Sequence, residues 1–444
     1  MSIKKENPKV DFVKNEHEIL DYWSKNKTFE KLVEKNSNGP KWSFLDGPIT
    51  ANNPMGVHHA WGRTLKDLYQ RYKSMNGHQL RYQNGFDCQG LWVEIEVEKE
   101  LGIKSKKEVE DLGIEKFVNL CKERVEKFSE VQKDQSIRLG YWMDWDNSYF
   151  TMSEENNYAI WAFLKKLHED GKIYRGTDVV PWSGRSGTSY SQMEIIEGRK
   201  LTVHKGVFVK FPLKDKENEN ILIWTTTPWT LSSNIAVAVN KKINYAKIKA
   251  NDGSIYFIAE TNLKYQRLNK EFSEKKNWVD GVPKLKTLDQ IFKERGGYEI
   301  IEVIKGEKLI GLTYQGPFDH LEPQSSKGGY PIHDTSNLQD KSAIDCHIII
   351  DGGKDSEGND MVVEGEGTGF VHMAGGCGAI DNKICKREGF VEISPIDNQA
   401  NFIQGFDFMS GLSVTDPETA QKIISNLKER DLLLYVEDYP HIYP

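Results

Sequence analysis

A short apolar run, KWSFLDGPITANN (41–53), breaks into a loop of Gly, Pro and Asn. It then feeds HHAWGRTLKDLYQRYKSMNG (58–77), where Trp61, Leu65, Leu68 and Tyr72 recur at helical spacing. Strand, glycine-bearing loop, helix is the opening of a nucleotide-binding α/β unit, because a helix N-terminus offers free N–H groups to phosphate. A glycine-rich loop alone marks any turn, so the rest of the chain has to support that reading. A second strand-like run, HQLRYQNGFD, follows and ends at Asp87.

The remaining texture splits in two. Residues 10–32 read as a polar-faced helix carrying Phe12, Ile19, Leu20 and Trp23. In IEKFVNLCKERVEKFSEV (114–131), Ile114, Phe117, Cys121, Val125 and Phe128 share one stripe. A further helix is expected from the capping-box pattern Thr151-x-x-Glu154, through Ile160, Trp161, Leu164 and Leu167, to Gly171. After about residue 200, GVFVKFPL, ILIWTTT, IAVAVN, SIYFIAE and CHIII are short β-branched or alternating runs separated by polar turns. They predict a β-rich domain inserted behind the α/β part, and a helix returns in DPETAQKIISNLKERD (416–431).

At 444 residues the chain is long enough for two or three domains. A net charge of −7 argues against a generally basic nucleic-acid coat while leaving room for a local basic face. The five cysteines are odd in number and none are spaced as CxxC, so neither a disulfide framework nor a zinc knuckle is expected, and a reducing cytoplasm fits. The N-terminus has no apolar signal core, and no window approaches a membrane span.

Residues 46–67, DGPITANNPMGVHHAWGRTLKD, resemble the first signature of class I aminoacyl-tRNA synthetases, a His-x-Gly-His tetrad after a GPP-type loop. Gly56-Val57-His58-His59 falls over that tetrad: His59 is kept, while the first His and the Gly are exchanged to give Gly56 and His58. Attack of a carboxylate on the α-phosphate of ATP needs positive or hydrogen-bonding groups where charge builds. A helix N-terminus with two imidazoles meets that demand. NGFDCQGLWVEIEVEKELG (84–102) resembles the family segment in which an Asp, here Asp87, binds the ammonium of the amino acid. Burying that ammonium unpaired would be costly. Gln89 stands where His is usual and Trp92 where Pro is usual.

LIWTTTPWTLSSNIAVAVN (222–240) resembles the threonine-rich motif of the editing domain inserted in isoleucyl-tRNA synthetases, whereas valyl and leucyl relatives tend to read TTRP. Thr225, Thr226, Thr227 and Thr230 supply hydroxyls and Asn234 an amide, suited to holding a terminal adenosine and positioning water. GEGTGFVHMAGGCGAID (365–381) resembles the partner segment, with His372 and Asp381 at the family's spacing and Gly375 where Pro is usual. The resemblance gives Asp381 the amino group of the misattached amino acid. LIGLTYQGPFDHL (309–321), SIRLGYWMDWDNSY (136–149) and residues 171–195 follow the same family in the same order.

The resemblance implies an α/β fold: a Rossmann-type nucleotide-binding half of class I synthetase type with a large inserted β-rich editing (CP1) domain. The expected boundaries are 1–195 for the first half of the catalytic domain, 196–400 for the editing domain, and 401–444 for a truncated segment returning toward the catalytic domain. It implies isoleucine–tRNA ligation with hydrolytic editing of Val-tRNA(Ile), ATP and Mg²⁺ as cofactors, and isoleucine and tRNA(Ile) as partners. His58, His59 and Asp381 are the expected catalytic residues. Gly56, His58 and His59 cradle ATP, and Gly47, Pro48, Asp87 and Gln89 bind the amino acid. No metal-ligand set is expected. The location is cytoplasmic with no membrane partner, and the chain is a monomer or pairs with a separate C-terminal half. No KMSKS-like lysine loop occurs in these residues, so weak activation of isoleucine by the chain is expected. Two other readings stay open: a free-standing deacylase using the threonines and Asp381, and a non-catalytic tRNA-binding paralogue.

Overall fold

The computed structural model describes residues 10–265, 285–332, 339–354, 358–365 and 367–443, in two compact units, 1–175 and 176–444. The first unit opens with α1 (Phe12–Lys25) and α2 (Thr28–Lys35). Its centre is a three-stranded parallel sheet of β1 (Ile49–Thr50), β2 (Gln83–Asp87) and β3 (Asp144–Phe150), in that order. Parallel neighbours need crossovers. α3 (Val57–Met75) makes the first, and α4 (Leu91–Leu101), α5 (Lys106–Leu112) and α6 (Ile114–Arg138) make the second; α7 (Glu154–Glu169) follows β3. Ala51, Phe86, Cys88, Val93 and Val125 form the core between sheet and α6.

Two helices of this unit carry their apolar residues on the outward face. On α3 the apolar residues are the exposed ones, with Trp61 at 68% and Tyr72 at 62%, while Arg63, Gln70 and Ser74 are buried. The same periodicity describes both faces, and on the inward one Arg63 lies 3.9 Å from Asp46. On α7, Ile160, Trp161 and Leu164 are likewise exposed. The N-cap of α7 is Ser153, not Thr151: its hydroxyl accepts the Asn156 N–H at 3.3 Å, which leaves Thr151 free for other partners.

Gly85 on β2 has a local packing role. A Cβ there would come within 2.1 Å of the Tyr149 ring, whose hydroxyl donates to the Asp46 carbonyl at 2.7 Å. Gly85→Ala must push the ring off that bond, and an overpacking cost of about 1–3 kcal/mol is expected. Urea unfolding of the first unit should shift to lower midpoint; an unchanged midpoint would mean that the ring has room to move.

The second unit starts with the hairpin β4 (Trp182–Ser183) and β5 (Thr188–Ser189), followed by α8 (Gln192–Gly198). Its large sheet contains β6 (Lys200–Pro212), β7 (Glu219–Thr225), β9 (Asn244–Ala250), β10 (Ile255–Ala259), β11 (Tyr298–Lys305) and β14 (Leu433–Tyr443). The order is β11-β9-β10-β7-β6-β14, with only β10 and β7 parallel. A smaller sheet sets β8 (Ala236–Val239) between β12 (Ile349–Asp351) and β13 (Val371–Met373). α9 (Leu288–Glu294), α10 (Ala379–Glu388) and α11 (Pro417–Glu429) complete it.

The expected boundaries differ from these units. The turn of chain at 176–195 lies in the second unit, where the Trp182 indole donates to the Asn398 carbonyl at 2.9 Å. Residues 401–443 do not leave it either. Phe402, Phe406, Met409, Ile423 and Leu427 join the same core as Val207, Ile221 and Val237, and β14 pairs with β6 along nearly its full length. Among the described residues, no helix is long and apolar enough to cross a membrane.

Candidate functional site

In the first unit the loop between β1 and α3 is held from behind by α6. Arg124 donates to the Asn52 carbonyl at 2.9 Å and to Asn53 Oδ1 at 2.8 Å. The Gln132 amide reaches the carbonyls of Thr50 and Asn53, both at 2.9 Å, and Gln135 Oε1 accepts the Met55 N–H at 2.7 Å. These long side chains were not selected from the sequence, because on α6 they read as an ordinary polar face.

The loop delivers Gly56 as the N-cap of α3. Its N–H donates to His59 Nδ1 at 3.1 Å, so that nitrogen carries a lone pair. The His58 and His59 rings lie 3.9 Å apart. Burial first, then His58 and Arg63, lower the His59 pKa, which keeps this imidazole neutral. A Cβ on Gly56 would come within 2.9 Å of His58 Cε1, so glycine leaves room for the ring to fold back. Gly56–His59 thus places both imidazoles on the first turn of a helix, beside its dipole-positive end.

Asp87 sits at the end of β2, next to Thr50 of β1. Thr50 Oγ1 donates to its Oδ2 at 2.9 Å, and Thr151 Oγ1 lies 3.4 Å from Oδ1. Gln89 donates to the Thr151 carbonyl at 2.9 Å, and Thr151 also hydrogen-bonds Gln89 Oε1. Thr151 therefore joins Asp87 to Gln89, a role hidden in the sequence by its resemblance to a helix cap. Gly47 is exposed and its carbonyl accepts from Lys66 Nζ at 3.1 Å, beside half-buried Pro48.

In the second unit a cavity of about 300 Å³ is lined by Thr225, Thr226, Thr227, Thr230, His372 and Asp381, together with Trp224, Cys377 and Gly378. β7 ends at Thr225, and a 3₁₀ turn over Pro228–Ser233 folds the next threonines back on it. Thr225 Oγ1 accepts the Thr227 N–H at 3.1 Å, and the two hydroxyls are 3.2 Å apart. Thr230 Oγ1 stands 2.9 Å from His372 Nε2 on β13. Asn234 does not line the cavity; it lies behind His372, with Nδ2 at 3.4 Å from Nδ1. Burial pushes the His372 pKa down to about 4, so the ring is neutral.

Asp381 enters from the first turn of α10, with Oδ2 accepting the Ala374 N–H at 3.0 Å. Burial pushes its pKa up to about 6, against which the Ala374 N–H works. Gly378 leaves the carboxylate room, since a Cβ there would come within 2.8 Å of Oδ2. Above that pKa the cavity presents hydroxyls, a neutral imidazole and one carboxylate: a site for a small cationic group beside polar oxygens.

Comparison with known families gives one match over residues 18–309, to the tRNA synthetases class I (I, L, M and V). The chain belongs to this family. The class I synthetase fold, mixed α and β, comes with that membership. Among curated proteins, the isoleucine–tRNA ligase of Clostridium tetani is 35% identical over 441 residues, covering 99% of this chain and 37% of the relative. The isoleucine–tRNA ligase 2 of Bacillus anthracis is 32% identical over 442 residues, and the isoleucine–tRNA ligase of Sulfolobus acidocaldarius 34% over 439, again at 37% of each relative. This class I synthetase chain therefore spans a little over a third of the length of the relatives it matches. Among its described residues, no group of three His, Cys, Asp or Glu side chains could hold a metal ion.

Proposed function

We propose that the second unit hydrolyses tRNA esterified with an amino acid smaller than isoleucine, and that the first unit carries one face of an isoleucine–tRNA ligase site. Residues around 196–400, completed by 401–443, then serve as the editing domain. The observation that carries this reading is the single cavity holding the threonine row, His372 and Asp381. Valine is the natural misfit. One methylene in an apolar pocket discriminates by only roughly 1–3 kcal/mol, a limit for which isoleucyl-tRNA synthetases are the standing example. A second and smaller pocket supplies the remainder.

On this reading the Asp381 carboxylate takes the α-ammonium of the esterified amino acid. The Thr225–Thr230 hydroxyls take the terminal ribose and the attacking water. In the first unit Asp87 takes the ammonium of isoleucine beside Gln89, with the Gly47–Pro48 backbone along the substrate. Gly56, His58 and His59 cradle ATP at the N-terminus of α3, with Mg²⁺ carried on the phosphates. tRNA(Ile) is the partner, the location cytoplasmic, and the chain a monomer or one part of a paired enzyme.

The test is hydrolysis of Val-tRNA(Ile) and Ile-tRNA(Ile) by this chain, with isoleucine-dependent pyrophosphate exchange on the same preparation. Valyl ester is expected to be cleaved at least about tenfold faster than isoleucyl ester. Exchange is expected near background, since these residues hold no lysine loop. Equal cleavage of both esters, or of neither, would sink the editing reading.

A further inference from the structure

The hydrogen bonds behind the cavity run in one direction, and that direction is set outside it. Tyr314 is fully buried, stacked on the His347 ring at 5.0 Å and 13°, and does not line the cavity. Its hydroxyl donates to Asn234 Oδ1 at 2.7 Å. Burial holds this phenol well above its usual pKa, so it keeps its proton and can serve as donor.

That contact and one other fix the amide of Asn234. Nδ2 faces the Ala236 carbonyl at 3.1 Å, which can only accept. The same amide nitrogen faces His372 Nδ1 at 3.4 Å, and a donated N–H requires a lone pair there. The proton of the neutral imidazole is then on Nε2, 2.9 Å from Thr230 Oγ1. Thr230 accepts it and passes its own hydrogen to the Thr227 carbonyl at 2.8 Å. The Asn234 backbone is pinned as well, its carbonyl accepting from Gln324 and His347, both at 3.2 Å.

We propose that Tyr314 is a positioning residue for this pocket: through Asn234 it fixes the tautomer of His372, making the imidazole a hydrogen-bond donor to Thr230 rather than a base. This rests on the hydrolytic reading of the cavity and deepens it. Both ring nitrogens are spoken for, so His372 has no lone pair to take a proton from water. Its work is to orient the hydroxyl of Thr230 and, through the Thr227 carbonyl, the threonine row. Tyr314 lies 80 residues from Asn234 in sequence, and tertiary structure alone reveals the connection.

The experiment labels the histidines of the full chain with ¹⁵N and records side-chain spectra of wild type and Tyr314→Phe near neutral pH. His372→Gln assigns the resonance, and the same preparations hydrolyse Val-tRNA(Ile). Wild type is expected to show His372 as the Nε2–H tautomer, and Tyr314→Phe a mixture of tautomers. Leaving Asn234 Oδ1 unsatisfied should lower kcat about tenfold with KM within about twofold. A glutamine amide nitrogen reaches the place of Nε2, so His372→Gln should retain hydrolysis within about tenfold of wild type, with His372→Ala far below it. The proposal is overturned by an Nδ1–H tautomer in wild type, by a Tyr314→Phe chain with unchanged spectrum and kcat, or by a His372→Gln chain as inactive as His372→Ala. If wild type cleaves no valyl ester, the hydrolytic reading fails, and the spectra still decide the tautomer.

Discussion

Asp381→Asn is expected to lose hydrolysis of Val-tRNA(Ile) while making the protein more stable. The two effects share one cause. Burial raises the Asp381 carboxyl from 3.8 to about 6, so the folded state holds its proton more tightly than the unfolded chain does. Below the unfolded value both states are protonated and the site costs nothing. As pH rises through the folded value the native carboxyl must ionise in a place that disfavours charge, and stability is lost. At neutral pH that cost is up to about 3 kcal/mol.

Asparagine cannot ionise, yet its Oδ1 can still accept the Ala374 N–H, so the variant should unfold at higher temperature at neutral pH and lose that advantage toward pH 4. Activity runs the other way. An ammonium brought into the cavity without its carboxylate is an unpaired buried charge, and a loss of at least about a hundredfold follows. In wild type, kcat/KM should rise through about pH 6 as the carboxylate forms. Thermal melts and a pH–rate profile check both arms. An Asp381→Asn chain that hydrolyses normally would remove the carboxylate from the mechanism, and one that melts lower would contradict its electrostatics.

The largest stability loss is expected in the first unit, from Asp46→Ala. Asp46 is buried in the loop after residue 41 and forms an ion pair with Lys66, while Arg63 Nη1 lies 3.9 Å from its other oxygen. Arg63 is only 1% exposed; it donates to Asn84 Oδ1 at 3.1 Å, and its guanidinium lies 5.1 Å from the Tyr141 ring centroid. Removing Asp46 strands that cation, and breaking one partner of a buried pair costs about 3–5 kcal/mol. Amide exchange in β2 and α3 should accelerate accordingly. Adding Arg63→Met should recover part of the loss, because the two residues form one unit. Strictly additive losses would show that Asp46 serves the loop through Lys66 alone.

The polar chemistry of each site was more legible in the sequence than the way it is supported. The glycine-bearing loop, Asp87, the threonine row and the His372–Asp381 pair are local patterns, and local patterns survive in a linear reading. Arg63, Gln132 and Tyr314 are not local. Each acts on a partner 17 to 82 residues away, as with Arg63 and Asp46, Gln132 and Thr50, or Tyr314 and Asn234. Periodicity on α3 located the helix and gave no preference for the inward face, where the buried residues are Arg63, Gln70 and Ser74. Residues 401–443 read as a separate segment for a similar reason: a returning helix and strand look like a new segment until their partners are known.

The pairing of β14 with β6 bears on the order in which this protein is made. β6 is among the first strands of its unit to leave the ribosome, and β14 is the last among the described residues; Lys205 and Asp438 are separated by 233 residues. Until β14 arrives, one edge of β6 offers the unpaired backbone of Lys200–Val209, which ends in the apolar Val207, Phe208 and Val209, to any other strand nearby. The parallel sheet of the first unit has no such debt, since all three strands are synthesised by residue 150. Synthesis therefore brings the three strands of the first unit together by residue 150 and leaves β6 without its β14 partner for more than two hundred residues, an interval in which an open strand edge favours misassembly.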